Sequence, residues 1–123
     1  MNTSDVIHKL HLLHPGKNVI LNNESAPTEI LCEIEPTSEH ANYSMAISVI
    51  DKSIPHYHKI LTEEYKVLKG NLKLHVDNKE YALRPGDMFS VKPNQIHWAE
   101  GIETWIECHS TPGWTSQDHI LVK

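Results

Sequence analysis

The feature that most constrains the fold of this chain is a series of short runs in which apolar and polar residues alternate. A period of two is typical of a strand with one buried face. The runs cover 29–35, 43–50, 63–69, 72–76, 80–83, 87–91 and 102–108, and groups rich in Gly, Pro and Asn separate most of them. Many short strands at this spacing predict an all-β barrel or sandwich. The two-residue linker Gly70-Asn71 also predicts a hairpin between its flanking strands.

The alternation further predicts which side chains face inward. In the first run, Ile30, Cys32 and Ile34 are expected to face the core, and the glutamates between them to face water. In the run 72–76, the leucines and the valine are expected to point inward and His75 to be solvated. Residues 4–14 are compatible either with a short helix capped by Ser4 or with an edge strand. The tail from residue 110 onward is expected to be extended and to pack back on the body.

Size and charge exclude several classes of protein. With 123 residues the chain has the length of a single domain. Its formal net charge is -5 and Arg84 is its single arginine, so it offers no basic surface for nucleic acid or anionic membrane. No run has the length of a membrane span or the pattern of a signal peptide, which predicts a cytoplasmic location. In a reducing compartment the two cysteines, Cys32 and Cys108, are expected to be core thiols.

Histidine is the unusual residue, at 10 of 123 positions, and it is the commonest metal ligand in proteins. His56 and His58 are two residues apart, so on a strand both project from the same face. Glu63 follows after four intervening residues, enough for the chain to turn and bring a carboxylate beside the imidazoles. A fourth candidate ligand, His97, comes from a distant part of the sequence. Only a closed barrel would deliver it to the same centre.

Two segments resemble the motifs of the cupin family. Residues 55–70, PHYHKILTEEYKVLKG, match the first motif, with His56, His58, Glu63 and Gly70 in its fixed positions. Residues 85–101 resemble the second, in which His97 takes the place of the last ligand. The resemblance implies a cupin double-stranded β-helix, a small antiparallel β-barrel, over 29–123, with 1–28 as an N-terminal segment packing on the barrel. Among cupins, the chain looks most like the cupin part of type II mannose-6-phosphate isomerases.

A set of three imidazoles and one carboxylate suits a divalent Zn, Fe, Mn, Ni or Cu ion. The expected function is that of a metal-dependent enzyme on a small polar organic substrate, with isomerase-like or dioxygenase-like chemistry. Tyr65 shares the inward register of Glu63 and is the candidate catalytic hydrogen-bond donor. The alternative is a non-catalytic module that binds a sugar or similar ligand for sensing, and the sequence does not separate the two. A phosphorylated substrate would have only Arg84 as a bidentate clamp.

A homodimer is also expected. Strand alternation places several large apolar residues outward, where a free monomer would expose them to water. These residues are Ile50, Leu68, Trp98 and Trp105.

Overall fold

The computed structural model describes residues 1–122 as one helix, ten strands and a short 3-10 helix. In chain order these are α1 (Thr3–Leu13), β1 (Asn18–Leu21), β2 (Glu29–Glu35), β3 (Ser44–Lys52), β4 (His56–Tyr57), β5 (Thr62–Lys69), β6 (Leu72–Val76), β7 (Lys79–Leu83), β8 (Met88–Val91), β9 (His97–Thr111), the 3-10 helix (Ser116–Asp118) and β10 (Ile120–Leu121). All paired strands are antiparallel. The expectation of an all-β barrel is confirmed. Within the described chain, no helix has the length and apolar character needed to span a bilayer.

The long strand β9 joins the two halves of the barrel. Along one edge it pairs with β3. Along the other, β6 pairs with its first residues and β5 with its later residues, from Trp105 onward, while β4 pairs with His97 on the β3 side. The strand bends between these halves, near Glu103, whose φ is 44°. This bend curls the sheet around an interior and brings His97, at the start of β9, beside β4.

The hairpin predicted at Gly70-Asn71 is wrong. Strands β5 and β6 do not pair with each other, because each pairs with a different part of β9. Gly70 has φ of 85°, a conformation that favours glycine, and the Thr104 hydroxyl donates a hydrogen bond to the Asn71 carbonyl at 2.6 Å. The glycine turn therefore carries the chain from one half of the barrel to the other. A tight hairpin lies instead between β6 and β7, across Asp77-Asn78.

The N-terminal segment forms a helix rather than an edge strand. Its N-cap is Asn2, whose side chain accepts a hydrogen bond from the Asp5 amide, so the prediction of Ser4 as the cap is wrong. The helix buries Val6 and Leu10 against β2 and β3. This cluster is separate from the core inside the barrel, which comprises Ile50, Tyr65, Val67, Leu72, Leu74, Val76, Leu83, Val91, Ala99 and Ile106.

The helix inverts the expected orientation of β2. Ile30 and Cys32 are buried, as the alternation predicts, but they lie under α1 on the outer side of the sheet. The glutamates of this strand line the cavity of the barrel instead of facing water. An apolar strand face can be covered by a helix as well as by the opposite sheet, so the alternation predicts which face is buried and not what covers it.

Three further expectations about side chains need correction. His75 is not freely solvated, because it stacks on Trp98 with ring centroids 3.8 Å apart and lies 2.8 Å from a Glu100 oxygen. Ile50, expected outward, is 1% exposed in the barrel core. Trp105 is half-buried against the helix cluster, so it covers a segment of its own chain.

Candidate metal centre

Four side chains from three strands and one loop meet inside the barrel. His56 lies on β4, His58 in the loop after it, Glu63 near the start of β5 and His97 at the start of β9. One ligand atom from each lies within 4.8 Å of the others, and all four residues are buried. His56 and His97 are direct cross-strand neighbours. The curled sheet thus brings together the four residues that the sequence singled out, and the cluster is able to bind a metal ion.

Each imidazole of the cluster is oriented by a backbone carbonyl. The Nδ1 atom of His56 lies 2.7 Å from the Ile54 oxygen, and that of His97 lies 2.9 Å from the Gln95 oxygen. His58 Nδ1 lies 2.7 Å from the Asp118 oxygen. Because a carbonyl only accepts, Nδ1 carries the proton and Nε2 presents its lone pair to the centre.

The atoms at the centre lack partners within the described chain. The Nε2 atoms of His58 and His97 and one carboxylate oxygen of Glu63 are buried and accept or donate no hydrogen bond. The Glu63 oxygens lie 3.3 Å from His97 Nε2 and 4.0 Å from His58 Nε2. Buried polar atoms without partners are rare, and converging lone pairs repel one another unless a cation lies between them. The residues present therefore fit a divalent transition metal ion.

The electrostatics of the cluster keep its ligands in the forms that bind metal. Burial, reinforced by neighbouring His97, lowers the pKa of His56 to about 3. Burial by itself raises the pKa of the Glu63 carboxyl, but the adjacent imidazoles outweigh burial and lower the pKa to about 2. Near neutral pH His56 is neutral and Glu63 is ionised, which are the states that coordinate a metal.

A cavity of about 420 Å³ opens onto this cluster, and His56 and Glu63 form part of its wall. Tyr65 and Cys108 also line it, as the inward register of their strands indicated. Tyr65 is 4% exposed, and burial raises the pKa of its hydroxyl well above the usual range, so it is a neutral phenol. Cys108 lies outside the group of four potential ligands.

Sequence reasoning missed several residues of this cavity. Glu29 lines it and accepts a hydrogen bond from the Ser48 hydroxyl at 2.8 Å. Burial raises the pKa of Glu29 to about 7, despite that hydrogen bond. Trp114 and His119 come from the tail, and the His119 ring lies 4.3 Å from the His56 ring. The tail residues did carry a signal, the run Thr111-Pro112-Gly113-Trp114 followed by Asp118 and His119. Glu29 carried none, because it looked like a solvent-facing strand residue.

Arg84, the one candidate clamp for a phosphate, is exposed and lies on another face of the protein. It lines a shallow surface depression with Gly70 and Lys73 and does not line the cavity at the cluster.

The protein is thus a small antiparallel β-barrel with three histidines and a glutamate gathered inside it. Residues 45–104 match the family model described as the cupin domain. The chain therefore carries a small cupin domain, as the two motifs indicated.

Solved structures share this fold. The Streptomyces protein Pac13, described as a nucleoside dehydratase, superposes with a TM-score of 0.77 at 12% identity, covering 89% of this chain and 88% of its own. A cupin-like protein from Thermotoga maritima superposes with a TM-score of 0.66 at 16% identity, covering 75% of this chain and 76% of its own. At such identities these likenesses describe the fold.

One curated relative is similar in sequence. It is quercetin 2,3-dioxygenase of Bacillus subtilis, which is 36% identical over 47 residues. The match covers 38% of this chain and only 14% of the relative's length.

Proposed function

We propose that this protein is a metal-dependent enzyme that moves a proton on a small, polar, unphosphorylated organic substrate. His56, His58, Glu63 and His97 would hold the metal ion. A divalent ion bound there supplies Lewis acidity that polarises a carbonyl or hydroxyl oxygen of the substrate. The observation that carries the proposal is Glu29, a carboxyl in the same cavity as the cluster.

Glu29 is suited to be the acid or base. The Ser48 hydroxyl fixes its carboxylate, and its pKa of about 7 lets it accept or donate a proton near neutral pH. A group with its pKa at the working pH is what proton abstraction next to a polarised carbonyl requires. Tyr65, a neutral phenol in the same cavity, remains the candidate hydrogen-bond donor to a substrate oxygen. Isomerisation and elimination of water both fit such a set, and dehydration is the activity named for Pac13.

The charges of the cavity limit the kinds of substrate that it can accept. Glu29, Glu33 and Glu35 lie along its β2 side, and no lysine or arginine among residues 1–122 lines it. A phosphate or carboxylate placed away from the metal would meet these carboxylates without a cation to pair with. The part of the substrate beyond its metal-binding group is therefore neutral or cationic. The charges of the cavity therefore argue against a sugar phosphate as the substrate, despite the resemblance to the cupin part of type II mannose-6-phosphate isomerases.

Two alternatives remain as outcomes of the test. The similarity to quercetin 2,3-dioxygenase favours oxygen chemistry, which needs a redox-active metal such as iron. A non-catalytic binding module would bind ligand in the cavity and leave it unchanged.

The test begins with metal analysis of protein purified without chelator or affinity tag, since iron would favour oxygen chemistry and zinc or manganese would favour proton transfer. The loaded protein is then incubated in D2O with neutral α-hydroxy ketones, and exchange of their α C–H is followed by NMR. We expect exchange in the parent and loss of about 100-fold or more in Glu29→Gln. Binding without exchange across the panel would favour the sensing module. Exchange that is unchanged in Glu29→Gln would remove this residue from the mechanism.

A further inference from the structure

The C-terminal segment contributes a contact to the cluster of His56, His58, Glu63 and His97, and this contact lies outside both motifs. Asp118, at the end of the 3-10 helix, is 7% exposed although it carries a carboxylate. It is 60 residues from His58 in sequence, yet its backbone carbonyl oxygen is the 2.7 Å partner of His58 Nδ1. His58 is 2% exposed, so water cannot readily replace this partner. The proton position and the ring orientation of one potential ligand thus depend on where residue 118 lies.

The side chain of Asp118 binds the loop that follows His58. Its Oδ1 atom accepts a hydrogen bond from the Lys59 amide at 2.8 Å, and its Oδ2 atom accepts one from the Leu61 amide at 3.0 Å. The Ile60 amide lies between them, 3.1 Å from Oδ1 and 3.3 Å from Oδ2. Three consecutive amides of the loop between His58 and Glu63 therefore donate hydrogen bonds to one carboxylate. Such bonds to an ionised acceptor are stronger than neutral ones.

The two contacts from one residue act on the same stretch of chain. The carbonyl of Asp118 orients the ring of His58, and the carboxylate holds the turn that sets the separation between His58 and Glu63. Strand β10 follows this segment closely and pairs with β4, which carries His56. Among the described residues, Asp118 alone hydrogen-bonds both the ring of a cluster histidine and the loop between His58 and Glu63.

We propose that Asp118 is a positioning residue of the metal centre, and that docking of the C-terminal segment and binding of the metal favour each other. This inference rests on the proposed metal site. By linkage, a contact that raises metal affinity must itself be strengthened when metal binds. Removing a group that orients a ligand typically weakens metal affinity by about 10-fold to 100-fold.

The test compares Asp118→Asn with a matched control, Asp87→Asn. The Asp118→Asn substitution turns one acceptor oxygen into an NH2 group, which cannot accept from the loop amides. Asp87 also caps a turn, with its Oδ2 atom 2.8 Å from the Arg84 amide, but it contacts no residue of the cluster. Both substitutions remove one negative charge from a carboxylate that accepts backbone amides. The probe is Co²⁺, titrated while its visible absorption spectrum is recorded.

We expect the Kd for Co²⁺ to rise about 10-fold to 100-fold in Asp118→Asn and to change less than about twofold in Asp87→Asn. Near-ultraviolet circular dichroism of the metal-free variants shows whether both are folded. A folded Asp118→Asn protein with the affinity and spectrum of the parent overturns the positioning role and leaves the metal site standing. A parent that binds no Co²⁺ overturns the metal site, and the positioning role with it.

Hydrogen exchange on the parent supplies a second measurement that needs no variant. Addition of Co²⁺ is expected to slow exchange of the Lys59, Ile60 and Leu61 amides. These amides donate to Asp118, and metal binding is expected to stabilise the docked C-terminal segment that carries it. Unchanged exchange of these amides in the metal-loaded parent would overturn the coupling, even if Asp118→Asn failed to fold.

Discussion

Replacing His97 by Ala is expected to remove most of the stabilisation that a metal ion gives this protein. A ligand that binds only the folded state adds RT ln(1 + [L]/Kd), which is about 2.7 kcal/mol when free Zn²⁺ is at a hundredfold excess over Kd. For a chain of 123 residues this corresponds to a rise in melting temperature of about 10 °C. His97 is fully buried and its Nε2 atom faces Glu63, so the substitution deletes one of four converging ligands.

The magnitude in the variant follows from the same relation. If loss of the ligand raises Kd about 100-fold, the same Zn²⁺ concentration contributes only about 0.4 kcal/mol, or a shift of about 1 to 2 °C. The metal-free variant will also melt lower, because a buried imidazole has been removed. For this reason the quantity to compare is the increment on adding Zn²⁺, measured by differential scanning calorimetry near neutral pH.

His75→Ala is the matched control. It also deletes a packed imidazole, which stacks on Trp98 and contacts Glu100, but it lies outside the metal cluster. We expect a lower melting temperature without metal and the full increment with it. An increment in His97→Ala equal to that of the parent would refute the assignment of the fourth ligand. An equal loss of the increment in both variants would show that the effect comes from packing.

Four further expectations follow. In metal-free protein, the free energy of unfolding of Glu29→Gln should rise relative to that of the parent by about 3 kcal/mol between pH 4.5 and 7, as measured by urea unfolding. The reason is that Glu29 of the parent ionises in the unfolded chain over this range, whereas burial keeps it protonated in the folded protein up to its pKa of about 7. The free energy of unfolding of the parent should fall by about 4 kcal/mol as pH falls from about 6.5 to 3, because the unfolded chain protonates His56 in this range whereas the buried side chain stays neutral down to about pH 3. A much flatter profile over this range in His56→Asn would identify the group. Tyr65→Phe should keep the Zn²⁺ increment and lower turnover of any substrate found, with a normal turnover reducing Tyr65 to a packing residue. Light scattering at micromolar concentration should give the mass of a homodimer; Ile50 cannot contribute to its interface because it is buried, whereas Leu68 is 40% exposed.

Local patterns and motifs in the chain were enough to predict the class of fold and the members of the cluster. Alternating runs identify strands because a strand sends successive side chains to opposite faces, and this local rule holds wherever the strand ends up. His56 and His58 face the same centre, although β4 ends at Tyr57 and His58 lies in the loop after it. Asn94 tolerates the left-handed turn that precedes His97, and it has φ of 69° in the structure. The resemblance to the two cupin motifs predicted the four members of the cluster, and the curled sheet brings them to one centre.

Local patterns do not reveal which face of β2 lines the cavity, because that depends on how the rest of the chain packs against the strand. Period two shows that Ile30 and Glu29 lie on opposite faces, but it does not say whether a helix or a cavity covers each one. Packing of α1 on the outer face turned Glu29 inward, where burial raises its pKa to about 7. The contact of Asp118 with His58 spans 60 residues, a separation for which no local pattern exists. Charge, burial and long-range contacts depend on the whole folded chain, and they are the properties that turn a cluster of ligands into a site with a proton donor and a supporting segment.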